Sequence, residues 1–481
     1  MNQFCIQCKQ VNTETGLCKM CILKIYEEKF GKCVNCKQII TAFLWCRNCI
    51  SKIFQQNFVK WTSGNDDIDK LIQNTQLSAE NHLQVLEWIP YDKFSVIEYV
   101  AEGGFGKVYR ANWKDGYILS WDTCKQQFRR HLGVHVALKI LNKSKNITFK
   151  FISEITSNLK IHEDDGIMQH VIKCHGVTQD PITKDYIIVM NYGSMSLQNC
   201  LNREKYKFCN EHEHDKHALM NVWKKKLEIL HGISRGLERI HAKNLVHRDL
   251  HIGNIINFRG HFCITDLGLC KPANFYELES MEDVKYGVLS YMAPELLRGQ
   301  DYTKASDIYS FGIIMYVVIS GLLPYYNFAH DEFLALNICE GLRPEFNTNI
   351  KVPQLIMHLI KRCLDANPLN RPNANELPPI FNKWYSNIYP RRKKNYDKME
   401  LIEQIKEFNN NISASTNNSP LASKMHSETI YISKPYNFKN LPEPKNSDDY
   451  YKSYENISSK KYSVYFLKPD DNDHEDCAIR D

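Results

Sequence analysis

The sequence predicts an α+β chain, led by a small cysteine-held module and closed by a mostly disordered tail. Three observations carry this expectation. Eight of the seventeen cysteines fall within the first 49 residues, all in Cys-x-x-Cys pairs. Apolar strand-like runs (Val96 to Val100, Val136 to Lys139, Ile187 to Met190) mark the part beyond the module. Helical patterns then take over: amphipathic through Trp223, Leu227, Leu230, Leu237 and Ile240, and apolar all round from Ile308 to Leu323.

At 481 residues the chain is too long for one ordinary domain and predicts two or three units. A hydrophobic fraction of 43% and a charged fraction of 24% are those of a soluble globular protein. A formal charge of +6 is small for this size, and no basic, aromatic-interleaved patch is present, so nucleic acid is not the expected partner. Met1-Asn2-Gln3-Phe4-Cys5 opens no secretory signal. The longest apolar run, Ile308 to Leu323, falls short of the ~20 residues that span a bilayer. The expected setting is intracellular and cytoplasmic, with no membrane span. Reducing conditions then make metal ligation a better use of paired cysteines than disulfides.

Residues 1–50 hold Cys5/Cys8, Cys18/Cys21, Cys33/Cys36 and Cys46/Cys49, a C-x2-C-x9-C-x2-C unit written twice. Each Cys-x-x-Cys turn offers two thiolates to one side of a tetrahedral ion, and two turns close a structural zinc site. So short a module cannot bury a core, so metal would supply its folding energy. Two zinc ions are expected, with sequential and interleaved ligand pairing both open. All-cysteine ligation leaves no position for a catalytic water. Phe43, Trp45 and the nearby lysines could meet an unknown protein partner, but filling the ribbon is the favoured reading for them. Residues 51–90 read as a helical connector, through Leu71-Ile72, Leu83, Val85-Leu86 and Trp88-Ile89. It ends at Pro90 and is expected to pack on the strand-rich part beyond it.

From Val96 the motifs run in order. Ala101-Glu102-Gly103-Gly104-Phe105-Gly106-Lys107-Val108 is a glycine-rich turn after a strand. Val136-Ala137-Leu138-Lys139 comes next, and Trp113 to His135 between them reads as an elaborated surface loop. A helix over Thr148 to Ile161 puts Ile152, Ile155 and Leu159 on one face and carries Glu154. Ile187 to Met190 leads into Asn191-Tyr192-Gly193. Then come Leu245-Val246-His247-Arg248-Asp249-Leu250 with Asn254, two short runs (Ile255 to Phe258 and His261 to Thr265) about Arg259-Gly260, Asp266-Leu267-Gly268, and Ala293-Pro294-Glu295. Asp307-Ile308-Tyr309-Ser310-Phe311-Gly312 and Asn367-Pro368-Leu369-Asn370-Arg371-Pro372 close the series.

In this order and spacing the motifs over residues 91–385 resemble those of eukaryotic protein kinases. The resemblance implies a bilobal fold: a small β-rich lobe with one regulatory helix, and a larger helical lobe. It implies ATP and magnesium as cofactors and a protein substrate as partner. Residues 101–108, with Gly103, Gly104 and Gly106, would cover the phosphates; Lys139 would anchor them, paired with Glu154, with Glu163 and Asp164 as alternatives. Ala137, Met190 (the gatekeeper) and Tyr192 would line the adenine site. Asp249 would orient the substrate hydroxyl, and Asn254 and Asp266 would hold magnesium. Asp307 would brace the catalytic loop, and Arg371 would pair with Glu295 as a structural link.

Four positions depart from the pattern. Ala101 replaces a glycine, and Leu267 stands for phenylalanine. His251 occupies the place of a lysine that touches the γ-phosphate, and Val288 that of a threonine contacting it. Free histidine, with a reference pKa of about 6.5, is a weaker cation than lysine at neutral pH, so slow turnover is expected. Leu289 to Glu295 reads like the serine/threonine branch, and the whole resembles the tyrosine-kinase-like group. With the cysteine pairs, Trp61-Thr62-Ser63-Gly64-Asn65-Asp66 and Tyr91-Asp92-Lys93-Phe94 resemble an expanded kinase family of arbuscular mycorrhizal fungi. Arg248 beside Asp249 implies a negative group in the activation segment, with Tyr276, Ser280 and Tyr286 as candidate sites and Glu277, Glu279, Glu282 and Asp283 as a built-in substitute. Two other readings stand beside kinase activity: a nucleotide-binding pseudokinase scaffold, and a zinc-ribbon adaptor for nucleic acid or protein regulated by a kinase domain. The loop from Glu211 to His217 reads as a polar insertion rather than a metal cluster. Residues 386–481 are read as the tail, with a helix near Lys398 to Phe408 and no calcium loop in the acidic stretch Asp470 to Asp476.

Overall fold

The computed structural model describes residues 3–4, 8, 11–12, 18–103, 106–141, 144–145, 148–162, 170–202, 216–273, 284–346, 352–388, 401–402, 404–405, 426 and 428–447. The chain divides into two compact units. The first holds Met1–Met195 and Ile256–Lys271, the second Ser196–Ile255 and Pro272–Asp481.

The first unit is built on a six-stranded sheet. Its strands are β1 (Glu87–Trp88), β2 (Phe94–Gly103), β3 (Gly106–Trp113), β6 (Val134–Leu141), β7 (Cys174–Gln179) and β8 (Tyr186–Asn191), in the order β1-β7-β8-β6-β3-β2. All neighbours are antiparallel except β1 and β7. Side chains of β8 alternate between two cores, as strand geometry requires. Ile187 and Val189 join Phe94, Trp113, Val136 and Leu138 on one face. Ile188 and Met190 join Phe151 and Ile155 of the helix Phe149–Ile161 on the other. Gly176 is required where β1 approaches, since a Cβ there would lie 2.0 Å from the Glu87 carbonyl oxygen.

The connector packs behind that same helix. Helices α1 (Lys19–Phe30), α2 (Arg47–Asn57) and α3 (Asp66–Ser78) precede it, so Phe149–Ile161 is α4. Asn65 caps α3, its side-chain oxygen accepting the amides of Asp67 and Ile68. Ile68 and Ile72 of α3 are fully buried in one core with Phe151 and Ile155 of α4.

Within residues 113–135, which the sequence predicted as an elaborated surface loop, 117–131 are a hairpin. Strands β4 (Tyr117–Asp122) and β5 (Gln127–His131) pair antiparallel. Ile118 is buried, and Trp121 and Phe128 partly so, by a long-range partner. Ile118, Trp121 and Phe128 share a core with Ala42, Trp45, Ile50 and Phe54 of the cysteine module and its helix, and with Ala79 and Val85 of the connector. Trp45, 1% exposed, donates its indole N–H to the Ala79 carbonyl at 3.0 Å, while Phe43 is exposed. Arg130 of β5 reaches both carboxylate oxygens of Glu87 at 2.8 and 2.9 Å.

The second unit is helical: α5 (Lys216–Ala242), α6 (Lys304–Ser320), α7 (Glu332–Cys339), α8 (Gln354–Cys363) and α9 (Leu377–Ile388). Helix α6 is buried on all sides, as its all-round apolar sequence requires. A Thr303/Ser306 capping box starts it, and Gly321, at φ +73°, stops it. Among the described residues no helix is long and apolar enough to cross a membrane.

Within the stretch read as a mostly disordered tail, residues 428–447 take a defined path on the second unit. Lys434–Tyr436 forms an antiparallel strand with Lys285–Gly287. The tail helix near 398–408 is described only at 401–402 and 404–405, where Leu401, Ile402 and Ile405 are buried.

Candidate active site

In the first unit, Lys139 sits on β6 between Val108 of β3 and Ile188 of β8. Its ammonium lies 2.6 Å from Glu154 Oε1 on α4 and 2.7 Å from Asp266 Oδ1. Helix α4 presents Glu154 because Thr148 caps it, accepting the Phe151 amide, and because Phe151 and Ile155 anchor its buried face. Glu154 is 1% exposed, and its second oxygen has no hydrogen-bond partner among the described residues. Burial raises the Glu154 pKa, with Lys139 opposing it. For Lys139, burial works against the ammonium, but the Asp266 and Glu154 carboxylates more than offset it and raise its pKa. This cation stays charged.

Asp266 holds a positive φ of 60°. The Gly268 amide donates to its Oδ1 at 3.3 Å. A Cβ on Gly268 would lie 3.2 Å from both Asp266 Oδ1 and Glu154 Oε2, so the glycine of this motif permits the close approach of the two carboxylates. Leu267, the residue that stands for phenylalanine, is buried at 1% exposure.

In the glycine-rich turn, Ala101 pairs with Val108, Glu102 with Lys107 and Gly103 with Gly106. Gly106 is obligatory, since a Cβ there would lie 1.9 Å from the Ile140 carbonyl oxygen. Gly104 and Phe105 lie outside the described residues, as do Glu163 and Asp164, the alternatives to Glu154. Met190 is buried and pairs with Ala137 across β8 and β6. Tyr192 stacks beneath the Arg110 guanidinium at 5.6 Å.

In the second unit, Asp307 at the start of α6 organises the catalytic loop. Its Oδ2 accepts the His247 amide at 2.8 Å and His241 Nε2 at 2.9 Å, and its Oδ1 accepts the Arg248 amide at 3.0 Å. His247 Nδ1 in turn accepts the Asp249 amide at 3.3 Å. Sequence reasoning missed His241 and the His247 side chain. The only signal for His241 was its place beside Leu237 and Ile240 at the end of an amphipathic helix. Asn254 donates its side-chain amide to the Asp249 carbonyl at 2.9 Å, a bond that does not use its Oδ1. A carboxylate on Asp266 and an amide oxygen on Asn254 are the hard oxygen donors that suit magnesium.

The departures have local geometry. His251 Nδ1 accepts the Gly253 amide at 3.2 Å, and Nε2 lies 3.8 Å from Asp249 Oδ2. Val288 is buried and lines one narrow cavity with Asp249, Leu250, Gly287 and Tyr291. Arg248 lies over the Tyr302 ring at 4.8 Å. Tyr286 is exposed, whereas Tyr276, Ser280 and the acidic candidates Glu277, Glu279, Glu282 and Asp283 lie outside the described residues, as does the loop 211–215. Arg371 and Glu295 form a buried bidentate pair at 2.6 and 2.7 Å.

The cysteines form two groups. Cys33, Cys36, Cys46 and Cys49 have their sulfurs within 4.8 Å of one another, and so do Cys8, Cys18 and Cys21; Cys5 lies outside the described residues. Of the two ligand pairings left open, the grouping is the sequential one. The spacings Cys33–Cys49 (3.8 Å), Cys36–Cys46 (3.4 Å) and Cys8–Cys18 (3.4 Å) approach the edge of about 3.8 Å that a tetrahedron with ~2.3 Å metal–sulfur bonds would have. Burial works against a Cys36 thiolate, yet hydrogen bonds from Gln38, Asn48, Cys46 and Cys49 bring it down to about 6. Burial and its Cys36 and Cys33 neighbours push Cys46 up to about 11. Cys36 favours the thiolate where Cys46 resists it, a balance that a dication relieves.

The sheet with its clamped lysine and the braced aspartate of the helical unit define a protein kinase domain. Residues 94–381 match the family described as protein tyrosine and serine/threonine kinase, and the chain belongs to that family. It is 26% identical over 303 residues to a probable serine/threonine-protein kinase of Dictyostelium discoideum, covering 62% of this chain and 20% of that protein. It is also 26% identical over 330 residues to the dual specificity protein kinase pyk3 of the same organism, covering 66% and 21%. A putative serine/threonine-protein kinase/receptor of Acanthamoeba polyphaga mimivirus is 26% identical over 320 residues, covering 65% and 17%. The chain thus spans about a fifth of the length of these relatives.

Proposed function

We propose that this chain is a working ATP-dependent protein kinase that transfers the γ-phosphoryl group to protein hydroxyls, chiefly serine and threonine. The observation that carries this reading is the Lys139 ammonium held between Glu154 and Asp266 at 2.6 and 2.7 Å, the arrangement phosphate anchoring needs. In this reading Lys139 grips the nucleotide phosphates, and the turn from Ala101 to Val108 covers them. Ala137, Met190 and Tyr192 border the adenine. Asp249 orients the acceptor hydroxyl and takes its proton. Magnesium, when bound with the nucleotide, neutralises the phosphate charge, and Asp266 and Asn254 are the oxygen donors that would hold it.

The cysteine module we read as two structural zinc sites, Cys5/Cys8/Cys18/Cys21 and Cys33/Cys36/Cys46/Cys49, supported by the all-sulfur donor sets and the sulfur spacing. Reduced, metal-held cysteines fit an intracellular setting. The resemblance to the tyrosine-kinase-like group, and to an expanded fungal family of it, rests on the sequence motifs.

The test is incubation with labelled ATP and magnesium beside an Asp266→Ala control, followed by phosphoamino acid analysis. Label lost in the control, and recovered as phosphoserine or phosphothreonine, is the expected result. No label, with ATP still raising the melting temperature, would replace this reading with a nucleotide-binding scaffold, a reading the His251 and Val288 departures favour.

A further inference from the structure

We propose that Ser433 is an acceptor for the chain's own phosphoryl transfer, presented in cis by residues 428–447; this rests on the kinase reading. Strand register places it. Gly287 pairs with Lys434, Tyr286 with Pro435 and Lys285 with Tyr436, antiparallel. Continued by one residue, that register sets Ser433 against Val288. Val288 and Gly287 line the same narrow cavity as Asp249. A segment added to this strand edge is therefore led past the residue that orients the acceptor hydroxyl, which is how strand addition delivers a peptide to a site.

The hydroxyls of this segment are not equivalent. The Tyr431 phenol donates to the Pro324 carbonyl at 2.9 Å, the Thr429 hydroxyl donates to the His426 carbonyl, and the Tyr436 phenol bonds the Leu289 backbone. Ser433 Oγ is buried and has no hydrogen-bond partner among the described residues. An unmade hydrogen bond on a buried hydroxyl is a cost of about 1–3 kcal/mol, and a group left this way calls for an explanation. A hydroxyl awaiting the γ-phosphoryl group and the Asp249 carboxylate supplies one.

The segment is fastened on both sides of Ser433. Upstream, His330 Nδ1 lies 2.7 Å from the Ile430 carbonyl oxygen. Downstream, Arg298 grips Glu443 at 2.7 and 2.5 Å, and the Ala366 amide donates to Asn446 Oδ1 at 2.8 Å. Anchoring of this kind raises the effective concentration of the acceptor over any free substrate. In the transfer, the Ser433 oxygen forms a bond to the γ-phosphorus of ATP. The bond from that phosphorus to the β-bridging oxygen breaks, ADP leaves with the electron pair, and the hydroxyl proton passes to Asp249.

The test uses the full chain with magnesium and ATP, an added basic protein substrate, and phosphopeptide mapping. The expected result is phosphate on Ser433 at a first-order rate that does not change over a tenfold dilution, with Ser433→Ala losing that phosphopeptide while still labelling the added substrate. In a mixture of tagged Asp249→Asn chain with active Ser433→Ala chain, the tagged Ser433 should stay unmodified. Label on the added substrate with none on Ser433 would overturn the proposal and leave the kinase reading intact. Phosphate on the tagged Ser433 would overturn delivery in cis. No label on either would overturn both readings.

Discussion

Phe128 stacks on Phe54, with ring centroids 4.9 Å apart and planes 22° from parallel. The contact joins a hairpin inserted in the kinase sheet to α2, which follows directly on Cys46 and carries Cys49 in its first turn. Helix α2 shares its core with Ala79 just beyond α3, and α3 packs on α4, which carries Glu154. A structural path through α3 thus links the core around the second cysteine group to the separate core behind the lysine clamp.

Cutting that path at its first contact should be felt throughout the unit. Phe128→Ala removes a partly buried ring and is expected to destabilise by about 2 kcal/mol. Thermal unfolding of the variant checks this, and a melting temperature within 1 °C of the parent would show that the hairpin docks without stabilising.

Metal should matter more than any single apolar contact. Two zinc ions per chain are expected by elemental analysis of protein purified without chelator, falling to about one in Cys46→Ser. Because a structural zinc site contributes its binding energy to folding, a strong chelator should lower the melting temperature of the first unit and expose Trp45 to fluorescence quenchers. Retention of the full melting temperature after verified zinc removal would contradict a structural role.

Replacing Glu154 tests the clamp. Glu154→Gln keeps the shape but removes the charge that, with Asp266, holds Lys139 in place. The expected loss in kcat/KM is on the order of 100-fold, comparable to deleting one electrostatic donor at a reacting centre. The melting temperature should change little, because a buried carboxylate with an orphan oxygen is itself a burden on stability. A variant that unfolds instead of slowing would assign the pair to structure.

The His251→Lys exchange addresses the slow turnover expected from the sequence. His251 is held by the Gly253 amide with its other nitrogen toward Asp249, which is where a longer ammonium could extend. Lysine there should raise kcat several-fold at saturating ATP, and no gain at any pH would show that histidine already performs the task.

How much of this was legible in the sequence depends on whether a feature is local. The cluster of Lys139, Glu154 and Asp266 was legible because its members stand in motifs of nearly fixed order and spacing. The α6 helix was legible because no other environment suits an all-apolar run. The β4–β5 hairpin was not, because Ile118, Trp121 and Phe128 are too sparse to announce strands, and their burial comes from the cysteine module in another part of the chain. The strand Lys434–Tyr436 was illegible for a similar reason. Three residues with a central proline become a strand only by pairing with the distant Lys285–Gly287 edge. Trp45 shows the converse, since its reading as ribbon filling agrees with its burial, while exposed Phe43 takes no part in that core.

The hairpin also creates an acid-sensitive point. His175 on β7 lies flat against Tyr117 of β4, with centroids 4.8 Å apart, and its Nε2 donates to Asn191 Oδ1 at 2.7 Å. Burial, with Lys173, His162 and Arg130 around it, lowers its pKa from 6.5 to about 3. Above pH 6.5 the imidazole is neutral in both folded and unfolded chain, and it contributes no pH dependence. Below that value the unfolded chain takes up a proton that the folded chain refuses until near pH 3, so stability falls with acidification by up to about 1.4 kcal/mol per pH unit. His175→Gln keeps a donor for Asn191 and removes the titration. Its melting temperature should start lower than the parent's at pH 7.5 and fall less steeply between about pH 6.5 and 4.5. Parallel curves would mean that His175 titrates freely and that the hairpin does not seal it from water.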